Sequence, residues 1–283
     1  MKKLVNADSY LGPSESRFFS SGYKKVNYVM KDERILENNY SSLLTLIYPE
    51  NWSVKIKKNL QPHLSSIDVI LMSTNACGKL LRKYENSYYK ITSMIICSSL
   101  VPVENLANIP VKFSLGKKIG KVYFQGKIGN MHVQLGVEKR RNNDQLFDSN
   151  FSRDDFKDTK HEINNISLKN EYESEAIVVK TINGKITNNI DYIDAFVSSL
   201  QIGQILLYEL DNISREKSNN LWMRSIKINE TGVRNYQKAG ALEVVLENTN
   251  LITKGNDKWR SADIVSNLNN IHVRCSVAHQ LTQ

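Results

Sequence analysis

Two apolar segments that begin alike, IDVIL at residues 67–71 and IDAFV at residues 193–197, decide how this chain folds. Each opens a run of 15 residues that is apolar on nearly all sides, and the two runs end at Leu81 and Leu207. A helix with that pattern is buried all round rather than along one stripe. The sequence therefore predicts two long, buried helices that start in the same way.

A polar residue precedes each of these helices, and an aspartate follows it three positions later. Ser65 stands before Asp68 with the spacing of a capping box, and Asp191 stands in the same relation to Asp194. In this motif, each of the two side chains accepts a hydrogen bond from the backbone N–H of the other residue. The pattern predicts that the helices begin at these positions.

The similarity between the two halves continues beyond the helices. Residues 109–115 match residues 241–247 in pattern, and residues 130–137 match residues 270–277, in the same order along the chain. The increasing offset between the copies indicates longer loops in the second copy. Three blocks in one order predict an internal repeat.

Short β-branched or aromatic segments around these blocks are typical of strands. They precede the helices at 43–48 and 176–181 and follow them at 91–98, 122–128, 221–228 and 261–265. Each copy is thus predicted as a strand, a long buried helix and three or four further strands. An antiparallel sheet wrapped around one buried helix is the hotdog arrangement, so we predict an α+β, tandem (double) hotdog fold.

The domain boundaries follow from this pattern. We predict an N-terminal arm at 1–24, a first hotdog unit at 25–140, a polar linker at 141–172 and a second hotdog unit at 173–283. The linker is rich in Asn, Asp, Lys and Ser and has few apolar residues. The two units are expected to pair as a pseudo-dimer within one chain, and homodimerisation is left open.

Composition and charge limit the classes of partner. The 283 residues carry a formal net charge of +9, and 41% of them are apolar and 24% charged, which is a globular composition. A basic balance favours an anionic partner such as a phosphorylated carrier or metabolite. Because the charge is spread along the chain rather than clustered in a stripe, nucleic-acid binding is not predicted.

The sequence lacks the motifs that are typical of several kinds of functional site. Cys77, Cys97 and Cys275 have no CxxC spacing, which argues against a disulfide framework and against a metal site. No phosphate loop, dinucleotide fingerprint or nucleophile elbow is present, so no cofactor is predicted. Since no signal peptide or membrane-length apolar run is visible, we expect a cytoplasmic protein without membrane insertion.

The starts of the two helices are the predicted catalytic site, because helix N-termini offer N–H groups and positive potential to an oxyanion or a phosphate. His63 lies just before the first helix and is the candidate acid or base. Asp68 and Asp194 are repeated carboxylates that either join His63 in proton transfer or only cap their own helices. We predict these three residues as catalytic.

Two amides lie seven residues after the repeated carboxylates and are predicted to contact substrate. They are Asn75 and Gln201, about two turns further along the same helix face. A buried amide has to be hydrogen-bonded, so each either orients substrate or braces the opposite sheet.

Three more residues are predicted to bind substrate. Arg17 and Arg224 are candidate anion clamps, because a guanidinium binds phosphate or carboxylate through two parallel hydrogen bonds. Tyr23 shares with Arg17 a segment dense in Gly, aromatic and polar residues. This segment either packs across the sheet or closes over the ligand.

The same segment carries a family resemblance. Residues 10–14 (YLGPS), 17–19 (RFF) and 22–23 (GY) resemble the start of the bacterial avirulence protein D (AvrD) family. Residues 60–68, with the pattern LxPHLSxID, look like the next recognisable stretch of that family. The resemblance rests mainly on the N-terminal third of the chain, and the remainder matches by order and length.

The resemblance implies a biosynthetic enzyme. The family is associated with syringolide-type elicitors, which are acyl-sugar lactones, and a similar condensation is attributed to hotdog-containing γ-butyrolactone synthases. A member is expected to condense a β-ketoacyl thioester, carried by an acyl carrier protein or coenzyme A, with a small sugar or phosphorylated polyol. In that mechanism His63 is the base, oriented by Asp68 or Asp194, and no covalent nucleophile is required.

Two other interpretations stay open at this point. One is a dehydratase or thioesterase on the same fold, and the other is a non-catalytic ligand-binding or assembly module. A fold by itself does not decide among them. The enzymatic interpretations predict a tunnel at the interface of the two units, with His63 and a carboxylate within hydrogen-bond reach of its lining. Asp68 and Asp194 that only cap their own helices and face away from any cavity would favour the binding module.

Overall fold

The computed structural model describes residues 2–55, 60–82, 88–118, 121–140, 156–231, 239–255 and 257–281. The chain forms two compact units, each built from separate segments. The terminal unit, named for the chain ends that it contains, consists of Met1–Lys25, Glu50–Leu60 and Lys157–Gln283. The inner unit consists of Val26–Pro49 and Gln61–Phe156.

Strands make up most of the regular structure in the described residues. The strands are β1 (Lys2–Asn6), β2 (Asn27–Leu36), β3 (Asn39–Ile47), β4 (Tyr88–Cys97), β5 (Ile109–Lys118), β6 (Lys121–Ile128), β7 (Met131–Arg140), β8 (Thr159–Leu168), β9 (Glu173–Ile182), β10 (Lys185–Thr187), β11 (Trp222–Glu230), β12 (Gly240–Lys254), β13 (Asp257–Leu268) and β14 (Ile271–Leu281). The α-helices are α1 (Asp8–Leu11), α2 (Ser66–Leu81) and α3 (Tyr192–Leu210). None of these helices has the length and apolar character needed to cross a membrane.

The strands of the inner unit are antiparallel and follow the order β4-β7-β6-β5-β3-β2. Burial alternates along them, as on β3, where Tyr40, Leu44 and Leu46 are buried. Helix α2 packs against β3, β5 and β6 and buries most of its side chains, including Ile67 and Leu80. The core of this unit therefore lies between one sheet face and one helix.

The strands of the terminal unit are also antiparallel, in the order β11-β14-β13-β12-β9-β8-β1, and β10 pairs with β9. Helix α3 packs against β8, β9, β12, β13 and β14 and buries Phe196 and Leu200. Gly203 permits a close approach of helix and sheet, because a Cβ atom there would lie 2.6 Å from the Ile264 side chain.

The strand order is the same in both units. The succession β11-β14-β13-β12-β9-β8 corresponds to β4-β7-β6-β5-β3-β2, and a long helix precedes β11 as another precedes β4. The repeated sequence blocks fall on corresponding elements, namely the two long helices, β5 with β12, and β7 with β14. The prediction of an α+β chain with large antiparallel sheets and few helices is confirmed.

The division of the chain differs from the predicted one. Residues 159–168, expected in the linker, form β8, and the predicted arm at 1–24 supplies β1, which pairs with β8 in the terminal unit. Ile163 and Leu168 of β8 are buried. The sequence does not show a regular alternation of apolar and polar residues there, because the strand is rich in polar residues and its register shifts once. The linker residues 141–155 lie outside the described residues.

Candidate functional site

The N-terminal turns of α2 and α3 have the same hydrogen-bonded structure. Ser65 Oγ accepts from the Asp68 N–H at 3.1 Å, and the Asp68 carboxylate accepts from the Ser65 N–H at 2.8 Å. Asp191 Oδ1 accepts from the Asp194 N–H at 3.0 Å, and the Asp194 carboxylate accepts from the Asp191 N–H at 2.7 Å. Both predicted capping boxes are confirmed, and each fixes a carboxylate at a helix start.

In the terminal unit, Asp194 forms a buried cluster with two strand residues. His161 Nε2 lies 2.6 Å from Asp194 Oδ1, and Lys180 Nζ lies 2.5 Å from Asp194 Oδ2. His161 on β8 and Lys180 on β9 are directly opposite each other in the antiparallel register, so two neighbouring strands deliver both side chains to one carboxylate. The three side chains are only 2–3% exposed.

The charges of this cluster depend on one another. Burial by itself raises the pKa of Asp194, but the Lys180 charge and the His161 hydrogen bond outweigh burial and hold that pKa below its ordinary value. Burial lowers the pKa of Lys180, and the charges of Asp191 and Asp194 reverse this and raise it. The pKa of Asp191, whose carboxylate lies 3.6 Å from Lys180 Nζ, is raised by burial and by the Asp194 charge. The two carboxylates therefore have pKa values shifted in opposite directions.

His161 is fixed in one orientation by one of its two ring nitrogens. Because the Asp194 carboxylate is ionised, the His161 Nε2 that faces it carries the hydrogen. Nδ1 is buried and has no hydrogen-bond partner among the residues that the structure describes. In this tautomer the neutral ring presents a lone pair on Nδ1, and the adjacent carboxylate stabilises the imidazolium formed when Nδ1 accepts a proton. The arrangement has the chemistry of a general base.

Two residues of the N-terminal segment lie beside this cluster. Tyr23 is fully buried, and burial together with the Asp194 charge raises the pKa of its hydroxyl well above the ordinary value. Lys24 Nζ donates to the backbone oxygen of Thr159. Burial lowers the pKa of Lys24 to about 8, with the Asp194 charge opposing the shift and the Lys180 charge adding to it. An amine with such a pKa exchanges its proton near neutral pH.

In the inner unit, Asp68 has a different set of partners. Its buried carboxylate accepts hydrogen bonds from the hydroxyl groups of Tyr28 at 2.7 Å, of Ser65 at 2.7 Å and of Tyr48. Burial raises the pKa of Asp68, and the hydrogen bonds offset this only in part. Burial and the Asp68 charge raise the pKa of Tyr48 well above its ordinary value. Relative to an ordinary aspartate, this site favours the protonated carboxyl.

His63, the predicted base, is partly exposed before α2. Its Nδ1 lies 3.1 Å from the backbone oxygen of Gln61. The Asp68 carboxylate accepts the hydrogen bonds described above from two tyrosines and from its own cap. The pairing of His63 with Asp68 therefore stays a prediction. The histidine that contacts Asp194 is His161.

Arg17 and Gln201, both predicted to bind substrate, are brought together by the structure. Arg17 is buried, donates from Nη1 to Gln201 Oε1 at 2.8 Å, and forms an ion pair with Asp8. Gln201 Nε2 donates to the backbone oxygens of Phe19 at 3.1 Å and Val197 at 3.3 Å. These bonds tie the N-terminal segment to α3, so Gln201 braces that segment.

The other two predicted substrate contacts, Asn75 and Arg224, belong to different units. Asn75 on α2 has a buried Oδ1 without a hydrogen-bond partner among the described residues. Arg224 is exposed on β11. A buried amide oxygen normally accepts a hydrogen bond from protein, water or ligand. The substrate contacts of Asn75 and Arg224 stay predictions.

Three residues of the terminal-unit cluster, His161, Lys180 and Lys24, are not among those predicted from the sequence. A signal existed for Lys180, because it continues the buried alternation of Ala176 and Val178 on β9, where a charged side chain needs a partner. His161 lies in the segment whose polar composition suggested a linker. Its partner is set by strand pairing, which the local sequence does not reveal.

The family of the chain is established over nearly its whole length. A family model described as Pseudomonas avirulence D protein (AvrD) matches residues 2–143 and 154–282. The chain belongs to the AvrD family. The resemblance seen in the N-terminal residues is thereby confirmed, and the AvrD match includes both long helices and both aspartate clusters. No curated protein matches the chain.

Solved structures with some likeness to this AvrD-family chain include thioesterases and a dehydratase domain. The TesB protein of Mycobacterium avium subspecies paratuberculosis is 8% identical, with a TM-score of 0.45 over 89% of this chain and 96% of that one. The acyl-CoA thioesterase II TesB2 of Mycobacterium marinum is 8% identical, with a TM-score of 0.45 over 93% and 97%. The dehydratase domain from the CurJ module of curacin polyketide synthase is 9% identical, with a TM-score of 0.43 over 90% and 97%. Likeness at this level assigns neither fold nor activity.

Proposed function

We propose that the chain is a double hotdog enzyme that acts on an acyl thioester, with the His161–Asp194 pair as its general base. The proposed reaction condenses a β-ketoacyl thioester, carried by an acyl carrier protein or coenzyme A, with a small sugar or phosphorylated polyol. The observation that carries the proposal is the buried pair itself. His161 Nε2 is held by an ionised carboxylate at a helix start, and its buried Nδ1 has no partner among the described residues.

Two features of the chain support the double hotdog fold and the class of reaction. Each unit packs one long helix on an antiparallel sheet, and the strand order of the two units is the same. Membership of the AvrD family makes acyl-sugar or lactone synthesis the expected chemistry. The buried pair supplies the proton transfer that such chemistry requires.

In the proposed reaction, His161 Nδ1 accepts the proton of an acceptor hydroxyl while the hydroxyl oxygen attacks the thioester carbonyl carbon. The carbon–sulfur bond breaks as the tetrahedral intermediate collapses, and the imidazolium returns the proton to the departing thiolate. Asp194 stabilises the imidazolium between these steps. The Lys24 ammonium and the positive end of α3 are charges beside the pair that can stabilise an oxyanion.

His63 and Asp68 remain in the proposal as a second acid–base set in the inner unit. A carboxyl group whose pKa is raised by burial donates a proton at higher pH than an ordinary aspartate. Closure of an acyl-sugar product to a ring needs a second proton transfer of this kind. The other predicted substrate contacts are kept in the proposal; they are Arg17, Tyr23, Asn75, Gln201 and Arg224.

The test compares the purified wild type with histidine variants by mass spectrometry of the products formed from a β-ketoacyl thioester and a sugar acceptor. His161→Asn removes the imidazole and with it the base, so we expect product formation to fall by roughly 10²–10⁴-fold. His272→Asn changes an exposed histidine on β14 of the same unit and is the matched control, with activity expected to equal wild type. His63→Ala, measured in parallel, tests the predicted role of His63.

The products distinguish the enzymatic alternatives. Free acid formed without an acceptor indicates thioester hydrolysis on the same pair, and loss of water from a 3-hydroxyacyl thioester indicates a dehydratase. A folded wild type that converts none of these thioesters contradicts the proposal and favours the ligand-binding module. Full activity of His161→Asn contradicts the assigned base.

A further inference from the structure

A groove on the inner unit lies apart from the aspartate cluster of that unit. It has a volume of about 560 Å³ and is lined by residues of β4, β5, β6 and β7, with Asn39 of β3. Pockets of roughly 300–1,000 Å³ are typical of small-molecule sites. The groove therefore has the size of a binding site for a small molecule.

One row of groove residues crosses four neighbouring strands. In the antiparallel register, Lys112 is opposite Lys127, Lys127 is opposite His132, and His132 is opposite Cys97. All four are exposed and line the groove. The next row along the strands adds three side chains with hydrogen-bonding groups, which are Ser114, Gln125 and Gln134.

Lys112 and Lys127 form a like-charge pair across two strands. Side chains directly opposite each other have Cβ atoms roughly 4.5–5.5 Å apart, and like charges in that position destabilise a sheet. Among the described residues neither lysine has an ion-pair partner, and the residues described as lining the groove include no aspartate or glutamate. The protein thus supplies no counter-charge to this row, and a bound anion would.

We propose that the groove binds a phosphate-bearing small molecule. The phosphate group lies over Lys112 and Lys127, which neutralise its two negative charges, and His132 and the glutamine side chains hydrogen-bond the phosphate oxygens and the organic part. A sugar-type phosphate and a nucleotide present the same phosphate group to this row. The proposal does not depend on the enzymatic activity proposed above, because the groove residues take no part in that chemistry.

Cys97 provides a direct probe of occupancy. It is exposed in the groove, whereas Cys77 and Cys275 are buried. Iodoacetamide is uncharged, so its reaction with Cys97 reports access to the thiol rather than charge, and mass spectrometry of the intact protein gives the rate. We expect glycerol phosphate or adenosine monophosphate to slow this reaction severalfold, while chloride at the same ionic strength leaves the rate unchanged.

Matched lysine variants test the assigned residues. The double variant Lys112→Gln, Lys127→Gln removes both charges from exposed positions, and we expect it to lose the protection of Cys97 by phosphate compounds. Lys185→Gln removes one charge from an exposed position on β10 and is expected to keep the protection. Circular dichroism and the Tm of each variant establish that the proteins compared are folded.

Each outcome decides for or against the groove as a phosphate site. Protection by inorganic phosphate alone supports a site for the phosphate group, and protection only by the organic phosphates supports a site that also contacts their organic part. Absence of protection by every phosphate compound, or equal protection of the double variant, overturns the proposal. Protection by polyglutamate but by no phosphate compound also overturns it, in favour of an acidic protein partner.

Discussion

Asp68 at the start of α2 and Asp194 at the start of α3 occupy the same position in the same capping motif, yet their electrostatic surroundings are opposite. Asp68 meets tyrosine hydroxyls and has a raised pKa. Asp194 meets Lys180 and His161 and has a lowered pKa. The capping motif at the helix start therefore fixes the position of each carboxylate. The other residues that contact the carboxylate determine its pKa.

The partners come from corresponding strands of the two units. Tyr28 lies on β2 and His161 on β8, which have the same place in the shared strand order. Tyr48 directly follows β3, and Lys180 lies on the corresponding strand β9. Different residues at a few strand positions thus give one unit a carboxylate that is hydrogen-bonded to tyrosines, with a raised pKa, and the other a carboxylate that is paired with Lys180 and His161.

The largest expected effect is on the ion-paired cluster. Asp194→Asn leaves Lys180 buried with only Asp191 as a counter-charge, and removal of one partner of a buried ion pair typically lowers the free energy of unfolding by about 3–5 kcal/mol. Urea unfolding at neutral pH measures this loss. A loss below about 1 kcal/mol would mean that the Lys180 charge is compensated elsewhere, and the comparison of the two clusters would fail.

Gln201 and Asn75, which lie about two helical turns after Asp194 and Asp68, provide a second comparison of the two units. Gln201→Met removes the acceptor of Arg17 and the donor to Phe19, so we expect a loss of about 1–3 kcal/mol in unfolding free energy. Asn75→Ala is the matched change on α2, where the amide oxygen has no partner among the described residues, and we expect a smaller loss. Equal losses in urea unfolding would contradict the bracing role of Gln201.

The two carboxylates are expected to respond to pH in opposite directions. The folded-state pKa of Asp194 is lowered, so its stabilisation is present above the unfolded pKa and is lost as pH falls through the folded pKa. The folded-state pKa of Asp68 is raised, so its stabilisation is present below the unfolded pKa and is lost as pH rises through the folded pKa. A tenfold difference in proton affinity between the folded and unfolded states corresponds to about 1.4 kcal/mol of stability.

Unfolding of the two asparagine variants is measured from about pH 2 to pH 7, because the response of Asp194 lies below the unfolded pKa of aspartate, ~3.9, and that of Asp68 lies above it. The penalty of Asp194→Asn should shrink on acidification, and the penalty of Asp68→Asn should grow. Parallel curves for the two variants would show that the two carboxylates do not differ in proton affinity.

The smallest expected effect is that of Asp68→Asn at neutral pH. The amide keeps one of the two acceptor oxygens, either for Tyr28 or for the cap, and it removes a buried group whose charged form is disfavoured. We expect a change of about 1 kcal/mol in the free energy of unfolding. A loss as large as that of Asp194→Asn would indicate that the carboxylate of Asp68 is required in its ionised form.

Parts of the fold with a strong local pattern were predictable from the sequence. Helices α2 and α3 begin near the predicted residues because their capping boxes and continuous apolar runs need no tertiary information. β8 was missed because its exposed face is polar and its register shifts once. The joining of Glu50–Leu60 to the terminal unit depends on contacts between distant segments, which no local pattern encodes.

The candidate site was predictable only in part. The capping motif identified Asp194, and the dense N-terminal segment identified Tyr23, which lies beside it. The partners His161 and Lys180 come from strand positions whose meeting depends on the pairing of β8 with β9. Arg17 was also identified from that segment, but its contacts with Gln201 and Asp8 depend on tertiary structure that the local sequence does not reveal.

The pairing of β1 with β8 has a consequence for the timing of synthesis. Lys2 lies opposite Leu168, so the first strand leaves the ribosome long before its partner exists. At roughly 5–20 residues per second, this wait lasts on the order of 10–30 s. Tyr23 and Lys24 follow β1 in the chain and meet β8 and α3 only after that interval. A nascent chain therefore carries no assembled cluster until α3 has been made.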